Sequence, residues 1–298
     1  MPYLYKCPHC ETQTMVDDQY SGQTGQCVTC GSPIQLPHFA MGVTEQPKPR
    51  PERKAAGIGI AAVVAVILVG CLLYAVVRFG GQTVAKISNN RDQTQAVKNL
   101  EKISAALNSY ADDHGSYPPP MTVDATNTPL HSWRVLLLPY LGEDELYNQF
   151  DLTVPWDHPK NEPLAYSVPS VYEHPRLSSF SESAYYLVTG KGTLFPPTGP
   201  LGPNSIVDDP SQTVLVVEAK VPIPSGMWTQ PIDLEYAKMS GRLGRNVGVE
   251  PGGFFEEGVA MATVDGRGHF VPITIEPVTF RALLTPKGGE RLPDDTLD

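Results

Sequence analysis

Four of the chain's five cysteines fall within its first 30 residues, as Cys7-Pro-His-Cys10 and Cys27-Val-Thr-Cys30, a C-x2-C-x16-C-x2-C pattern. Two thiols separated by two residues can both be turned to one side of a tight turn. Two such turns supply four sulfurs to a closed tetrahedral shell. Zinc suits that shell, because it asks nothing of geometry beyond four soft ligands and undergoes no redox change. Cys7, Cys10, Cys27 and Cys30 are therefore the expected ligands of one structural Zn2+. The other use of four cysteines is two disulfides in an exported domain, and thiols of adjacent turns are poorly placed to pair. His9 lies inside the first turn, but four sulfurs already fill the shell, so it is expected at the surface or beside the site. Gly31, directly after the second pair, suits a backbone that must bend sharply there.

Something must hold these turns in place, and the surrounding segment is too short for a hydrophobic core, so the metal itself must stabilise it. Strands are expected at 3–6, 12–16, 25–26 and 32–35. The whole of residues 1–37 resembles a zinc ribbon. Such ribbons bind nucleic acid, bind protein or act as rigid modules. This one lacks clustered Lys and Arg, which favours protein contact or a scaffold role.

Residues 38–54 read as a linker, with Pro47, Pro49 and Pro51 alternating with other residues in an extended geometry. Residues 55–77 then run for 23 positions without a charge, a proline or an amide side chain. A helix of that length crosses a hydrocarbon core of about 30 Å. It is apolar on every side, unlike a soluble surface helix, and begins too far into the chain for a cleaved signal peptide. The expected organisation is a ribbon at 1–37, a linker at 38–54, a membrane helix at 55–79 and a large domain at 80–298. Lys48, Arg50, Arg53 and Lys54 weight positive charge towards the N-terminal side, and zinc-binding thiolates favour a reducing compartment. Both place the ribbon in the cytoplasm, the single helix in the inner membrane and the large domain outside.

Charge separates the parts further. Up to Phe79 there are six Lys/Arg against five Asp/Glu; from Gly80 onward there are 16 against 27. A domain with a net charge of −11 is a poor partner for nucleic acid. The large domain also has no cysteine, so its core alone must hold it. A helix is expected over 83–113, with Val97, Leu100, Ile103, Leu107 and Tyr110 on one stripe and Gly115 as its stop. Ser132 is placed to cap a short helix, and 143–150 reads as another. Strands are expected at 184–189 and 213–219, a hairpin at 259–264 and 269–275 turning on Asp265-Gly266, and a last helix at 278–284 after Pro277. Helices first and antiparallel strands later make an α+β domain.

An apolar helix, an amphipathic continuation, a Gly-x-Tyr-Pro exit and a strand-rich domain, in that order, resemble pilins and pseudopilins. The residues that sharpen this are 132–141 (SWRVLLLPYL), Leu146-Tyr147, Phe150-Asp151, Pro155-Trp156-Asp157 with Asn161, 212–218, 228–234, Asp265-Gly266, and 280–285 running into 288–290. Together they are similar to domain of unknown function 1559, a bacterial, planctomycete-type family of pilin-like proteins. The resemblance implies a long N-terminal helix packed on an antiparallel sheet. It departs from the family pattern in two places. No prepilin cleavage site or helix glutamate is present, and Phe255 stands where the family often has a histidine. An anchored relative is expected rather than a subunit that polymerises by the pilin route.

No catalytic constellation is visible. There is no G-x-S-x-G elbow, and His114, His131, His158, His174 and His269 lie singly. Asp112-Asp113 and Asp208-Asp209 are lone acidic pairs that usually form solvated turns rather than calcium sites. Trp133 and Trp156 sit among apolar residues, which favours burial over sugar stacking. The expected role is that of a non-enzymatic structural or interaction protein of the envelope, with the bilayer and unidentified proteins as partners. A ligand-sensing module that relays through the ribbon is the second expectation, and an envelope hydrolase a distant third.

Overall fold

The computed structural model describes residues 2–39, 63–71, 74, 81–178, 181–222, 226–293 and 296–297. The chain forms two compact units, Met1–Leu73 and Tyr74–Asp298. In the first, β1 (Tyr3–Lys6) pairs antiparallel with β2 (Gln13–Val16), and β3 (Thr24–Gln26) with β4 (Pro33–Gln35). Each lies within a residue of its expected place. Past β4 the chain folds back, where Phe39 stacks on Tyr3 with ring centroids 4.2 Å apart and donates its N–H to Ser21 Oγ at 2.6 Å.

Of the expected linker only His38 and Phe39 are among the described residues. The expected span 55–77 also falls largely outside them. Residues 63–71 and 74 are helical, and among the described residues no helix is long and apolar enough to cross a membrane.

The second unit is built on α1 (Gly81–His114), a helix of 34 residues. Gly115 ends it at φ 76°, with its N–H donated back to Ala111 O at 2.8 Å. Leu100, Ile103 and Leu107 are fully buried, and Val97 and Tyr110 pack beside them, so the apolar stripe falls where its spacing placed it. The stripe lies across β9 (Val214–Glu218), β11 (Gly258–Thr263) and β12 (Gly268–Pro272). With β7 (Tyr185–Tyr186) these form a four-stranded antiparallel sheet in the order β12-β11-β9-β7. Polar residues of α1 reach the ends of the sheet. Ser104 Oγ donates to Thr263 O at 2.9 Å and Asn108 Nδ2 to Val264 O at 2.8 Å.

Both faces of the sheet are covered. Ala260 and Ala262 face the cluster containing α1, while Val259 and Met261 face the one containing Phe280 and Leu283 of α4 (Pro277–Leu283). That explains why β11 reads as a continuous apolar run rather than an alternating one. Where β12 passes α1 there is no room for a side chain: a Cβ on Gly268 would stand 2.6 Å from Val97 Cγ1 and 2.7 Å from Glu101 Cγ. The result is an α+β fold with a separate four-cysteine cluster.

Two expectations need correction, and one hairpin was not expected. The strand at 184–189 is split into β7 and β8 (Val188–Thr189), because the Leu187 N–H goes to Asp233 Oδ1 at 2.8 Å instead of a strand partner. β8 then pairs in parallel with β10 (Leu234–Glu235). The helix at 143–150 is a single turn, α3 (Asp144–Tyr147), and α2 (Trp133–Leu136) is equally short. An unforeseen hairpin joins β5 (Met121–Val123) to β6 (Pro129–Ser132). Its turn is made by Asp124 Oδ1, which accepts from the Thr126 and Thr128 N–H groups, and by Asn127 at φ 62°.

Candidate metal centre and a buried lock

The two cysteine turns are built alike. Cys7 N–H donates to Thr12 O at 3.0 Å and Cys27 N–H to Ser32 O at 2.8 Å. Glu11 N–H returns to Cys7 O at 2.9 Å and Gly31 N–H to Cys27 O at 2.8 Å. The residue after the second cysteine is left-handed in both turns, Glu11 at φ 56° and Gly31 at φ 73°. Glycine takes that conformation freely; glutamate does so at a cost of about 1–2 kcal/mol.

The four sulfurs all lie within 4.8 Å of one another. Two close contacts run between the turns, Cys7 to Cys30 at 3.9 Å and Cys10 to Cys27 at 3.8 Å. Sulfurs about 2.3 Å from a metal at the corners of a tetrahedron stand about 3.8 Å apart. The spacing fits a tetrahedral ion and is nearly twice a disulfide bond of about 2.05 Å; all four are free thiols. The N–H groups of Cys30 and Thr29 favour the Cys27 thiolate and hold its pKa down to about 6. Cys7 goes the other way. The His9 N–H favours its thiolate, but burial and the neighbouring sulfurs of Cys27 and Cys10 carry it up to about 11. His9 itself is exposed.

None of the histidines of the second unit joins another. His114 stacks on Tyr110 and meets the Tyr140 hydroxyl at 3.2 Å, His158 Nδ1 accepts the Lys160 N–H, and His269 Nδ1 faces Leu297 O at 2.9 Å. His131 is buried beside Phe150, and burial lowers its pKa. His174 Nδ1 accepts the Arg176 N–H at 3.1 Å, so its proton sits on Nε2 and is donated to Glu218 Oε2 at 3.1 Å, with both side chains fully buried. The acidic pairs are spent locally. Asp208 accepts the Gly288 and Gly289 N–H groups at 2.8 and 2.9 Å, and Asp209 caps Ser211. The Asp113 carboxylate accepts the Tyr140 hydroxyl. Trp133 is fully buried and Trp156 is half-buried. Among the described residues, Cys7, Cys10, Cys27 and Cys30 are the one group of His, Cys, Asp or Glu placed to hold a metal ion.

A second polar constellation was not foreseen. Arg134, with no exposed surface, donates through Nε to Tyr185 O at 3.1 Å and through Nη1 to Ser132 Oγ at 2.9 Å. Its guanidinium lies over the Trp133 and Tyr186 rings and 3.5 Å from Asp233 Oδ1. The same oxygen accepts the Trp133 Nε1–H at 3.1 Å and the Leu187 N–H. Trp133-Arg134 and the 228–234 segment, 100 residues apart, therefore close on each other. Trp228 completes the closure with its Nε1–H on Ala165 O at 2.9 Å. Nothing in the sequence around Arg134 or Asp233 pairs the two in advance.

Burial raises the Asp233 carboxyl to about 6 against the pull of Arg134. Burial also raises Glu218, against the hydrogen bond from His174. A carboxyl whose folded pKa is raised contributes stability that is present at low pH and lost as pH rises through the folded value. Asp233 should therefore contribute about 1 kcal/mol of added stability between pH 7 and 5, with the lowered pKa of His131 working the other way. Asp233→Asn should remove that contribution. Urea unfolding of both proteins at a series of pH values would show it; a pH dependence unchanged by Asp233→Asn would contradict the assignment. Below about pH 4 the order reverses, as Asp151, held low by Lys160 and Thr153, is protonated.

Residues 92–206 match the family model described as protein of unknown function, DUF1559. The match includes Trp133, Arg134, Trp156 and Asn161; the 228–234 segment that completes the lock lies beyond it. No curated protein and no solved structure is similar enough to the chain to count as a match.

Proposed function

We propose, from the match of residues 92–206 to the DUF1559 family model, that the chain is a membrane-anchored, non-enzymatic interaction protein of the cell envelope. Cys7, Cys10, Cys27 and Cys30 hold one structural zinc ion in a cytoplasmic ribbon. Residues 55–77 span the inner membrane, and the acidic α+β unit stands outside as a pilin-like domain. The observation that carries the ribbon reading is the convergence of four free sulfurs within residues 2–39, where only Cys7 and Cys27 are buried. Structural zinc of this kind supplies rigidity rather than chemistry, because all four positions of the shell are taken. The long α1 lying across an antiparallel sheet supports the pilin-like reading of the outer domain.

Anchoring is tested by extraction. The full chain should stay with membranes in alkaline carbonate and be released by detergent, while a chain lacking 55–77 should fractionate as soluble. Release of the full chain by carbonate would reject the anchor.

A further inference from the structure

The face that α1 turns away from the sheet forms a strip of its own. Positions 84, 87, 91, 94, 98, 102, 105 and 109 follow one another at spacings of three and four, so they fall on one side of the helix. All eight are exposed, opposite the buried stripe of Leu100, Ile103 and Leu107. Val84 and Ile87 open the strip, 67% and 64% exposed. Arg91, Lys98 and Lys102 follow, spread over about 16 Å of helix, and Ala105 and Ser109 close it. Among the described residues, none of the three cations has an ion pair or a side-chain hydrogen bond. The carboxylates of the same stretch of α1 are engaged with the domain. Asp92 meets Arg176 Nε at 3.3 Å, and Glu101 Oε1 accepts the Gly268 N–H at 3.3 Å. Glu173, beside Asn99, and Glu257, beside Gln93, border the helix on its two flanks.

Charge and position together choose what covers the strip. From Gly80 onward 16 Lys/Arg stand against 27 Asp/Glu, so the unit as a whole repels an anionic surface, whereas this strip presents three free cations to one. Its apolar end is also its first, since Val84 lies seven residues past Val77, where the proposed span ends. Exposed apolar side chains beside Lys and Arg are the composition of a helix that lies in a headgroup layer. We propose that the outward face of α1 docks on the bilayer that anchors the chain. Val84 and Ile87 enter the headgroup boundary, and Arg91, Lys98 and Lys102 meet the phosphates of anionic lipids. Bringing the helix down onto the bilayer takes a bend after the span, and Gly80-Gly81 stands in sequence where that bend falls. The proposal rests on residues 55–77 being a membrane anchor and adds the surface through which the large unit meets that membrane.

The test is lysine footprinting of the full chain in two kinds of nanodisc, phosphatidylcholine alone and phosphatidylcholine with an equal part of phosphatidylglycerol. A water-soluble acylating reagent is applied, and the rate at each lysine is read by mass spectrometry. Lys98 and Lys102 should react at least about fivefold more slowly on the anionic discs, the effect of roughly one cation held at a charged surface. High salt should restore their rates. Lys191 and Lys287, exposed and off α1, should not change. Arg91→Glu should remove most of the protection, and Arg91→Lys should keep it. Equal rates of Lys98 and Lys102 on the two lipids would overturn the proposal, as would protection untouched by Arg91→Glu. So would the same protection in detergent micelles rising with protein concentration, which would assign the strip to a second copy. Co-purification with the discs is read separately. A chain that stays on both kinds of disc without lipid dependence keeps its anchor and loses this docking, and a chain that leaves them loses both.

Discussion

Replacing Cys7 by serine is expected to strip the chain of its metal and unfold residues 2–39, while the large unit melts as before. Within that segment only Cys7 and Cys27 are buried, so once the sulfurs lose their common ion there is no apolar interior to fall back on. Structural zinc contributes about 10–16 kcal/mol to modules of this kind at neutral pH, far more than four short strands supply. Metal analysis of the detergent-purified chain should give close to one zinc per molecule, falling to none in the variant, and a strong chelator should reproduce the effect on the native chain. Retention of stoichiometric zinc by Cys7→Ser would sink the four-sulfur assignment. Because all four sulfurs lie within 4.8 Å of one another, each of the other three serines should behave the same way.

The second large effect lies in the large unit. Arg134→Met should destabilise it by about 3–5 kcal/mol in urea unfolding, the usual cost of removing one member of a buried polar pair. Methionine keeps much of the volume, so the loss is in bonding. The Tyr185 carbonyl and Ser132 hydroxyl lose a donor, and Asp233 keeps its burial without a cation beside it. Asp233→Asn alone should cost less, because an amide oxygen still accepts from Trp133 Nε1 and Leu187 N. The double variant should be more stable than the two losses added together, with a coupling of about 1–3 kcal/mol. A loss below about 1 kcal/mol for Arg134→Met would mean that the guanidinium is not what ties 132–134 to 228–234.

Much of this was legible because it was local. C-x2-C spacing describes a turn and two ligands at once, so the four cysteines and their strands could be placed without tertiary knowledge. The stripe from Val97 to Tyr110 likewise carries its own period, and Asp265-Gly266 marks its own hairpin. What stayed hidden was long-range. Nothing near Leu187 says that its N–H will be claimed by an aspartate 46 residues on, so the strand at 184–189 looked continuous. The β5–β6 hairpin was masked by the prolines just before β5 and by Pro129 at the start of β6, and its turn depends on the Asp124 side chain rather than on glycine. Arg134 reads as an ordinary surface residue of a short helix until the 228–234 segment folds over it. The pairing of His174 with Glu218 was hidden for the same reason, since neither residue has the other in its own neighbourhood of the sequence.

The central claim is that the four-sulfur ribbon and the acidic unit are held on opposite sides of one membrane. Reporter fusions at each end of the full chain test it most directly, using one enzyme that is active only in the cytoplasm and one that is active only outside it. The proposed arrangement gives cytoplasmic activity at the N-terminus and external activity at the C-terminus; deleting 55–77 should abolish the external activity and leave the cytoplasmic activity in a soluble fraction. External activity at the N-terminus, or activity of both ends on one side, would contradict it.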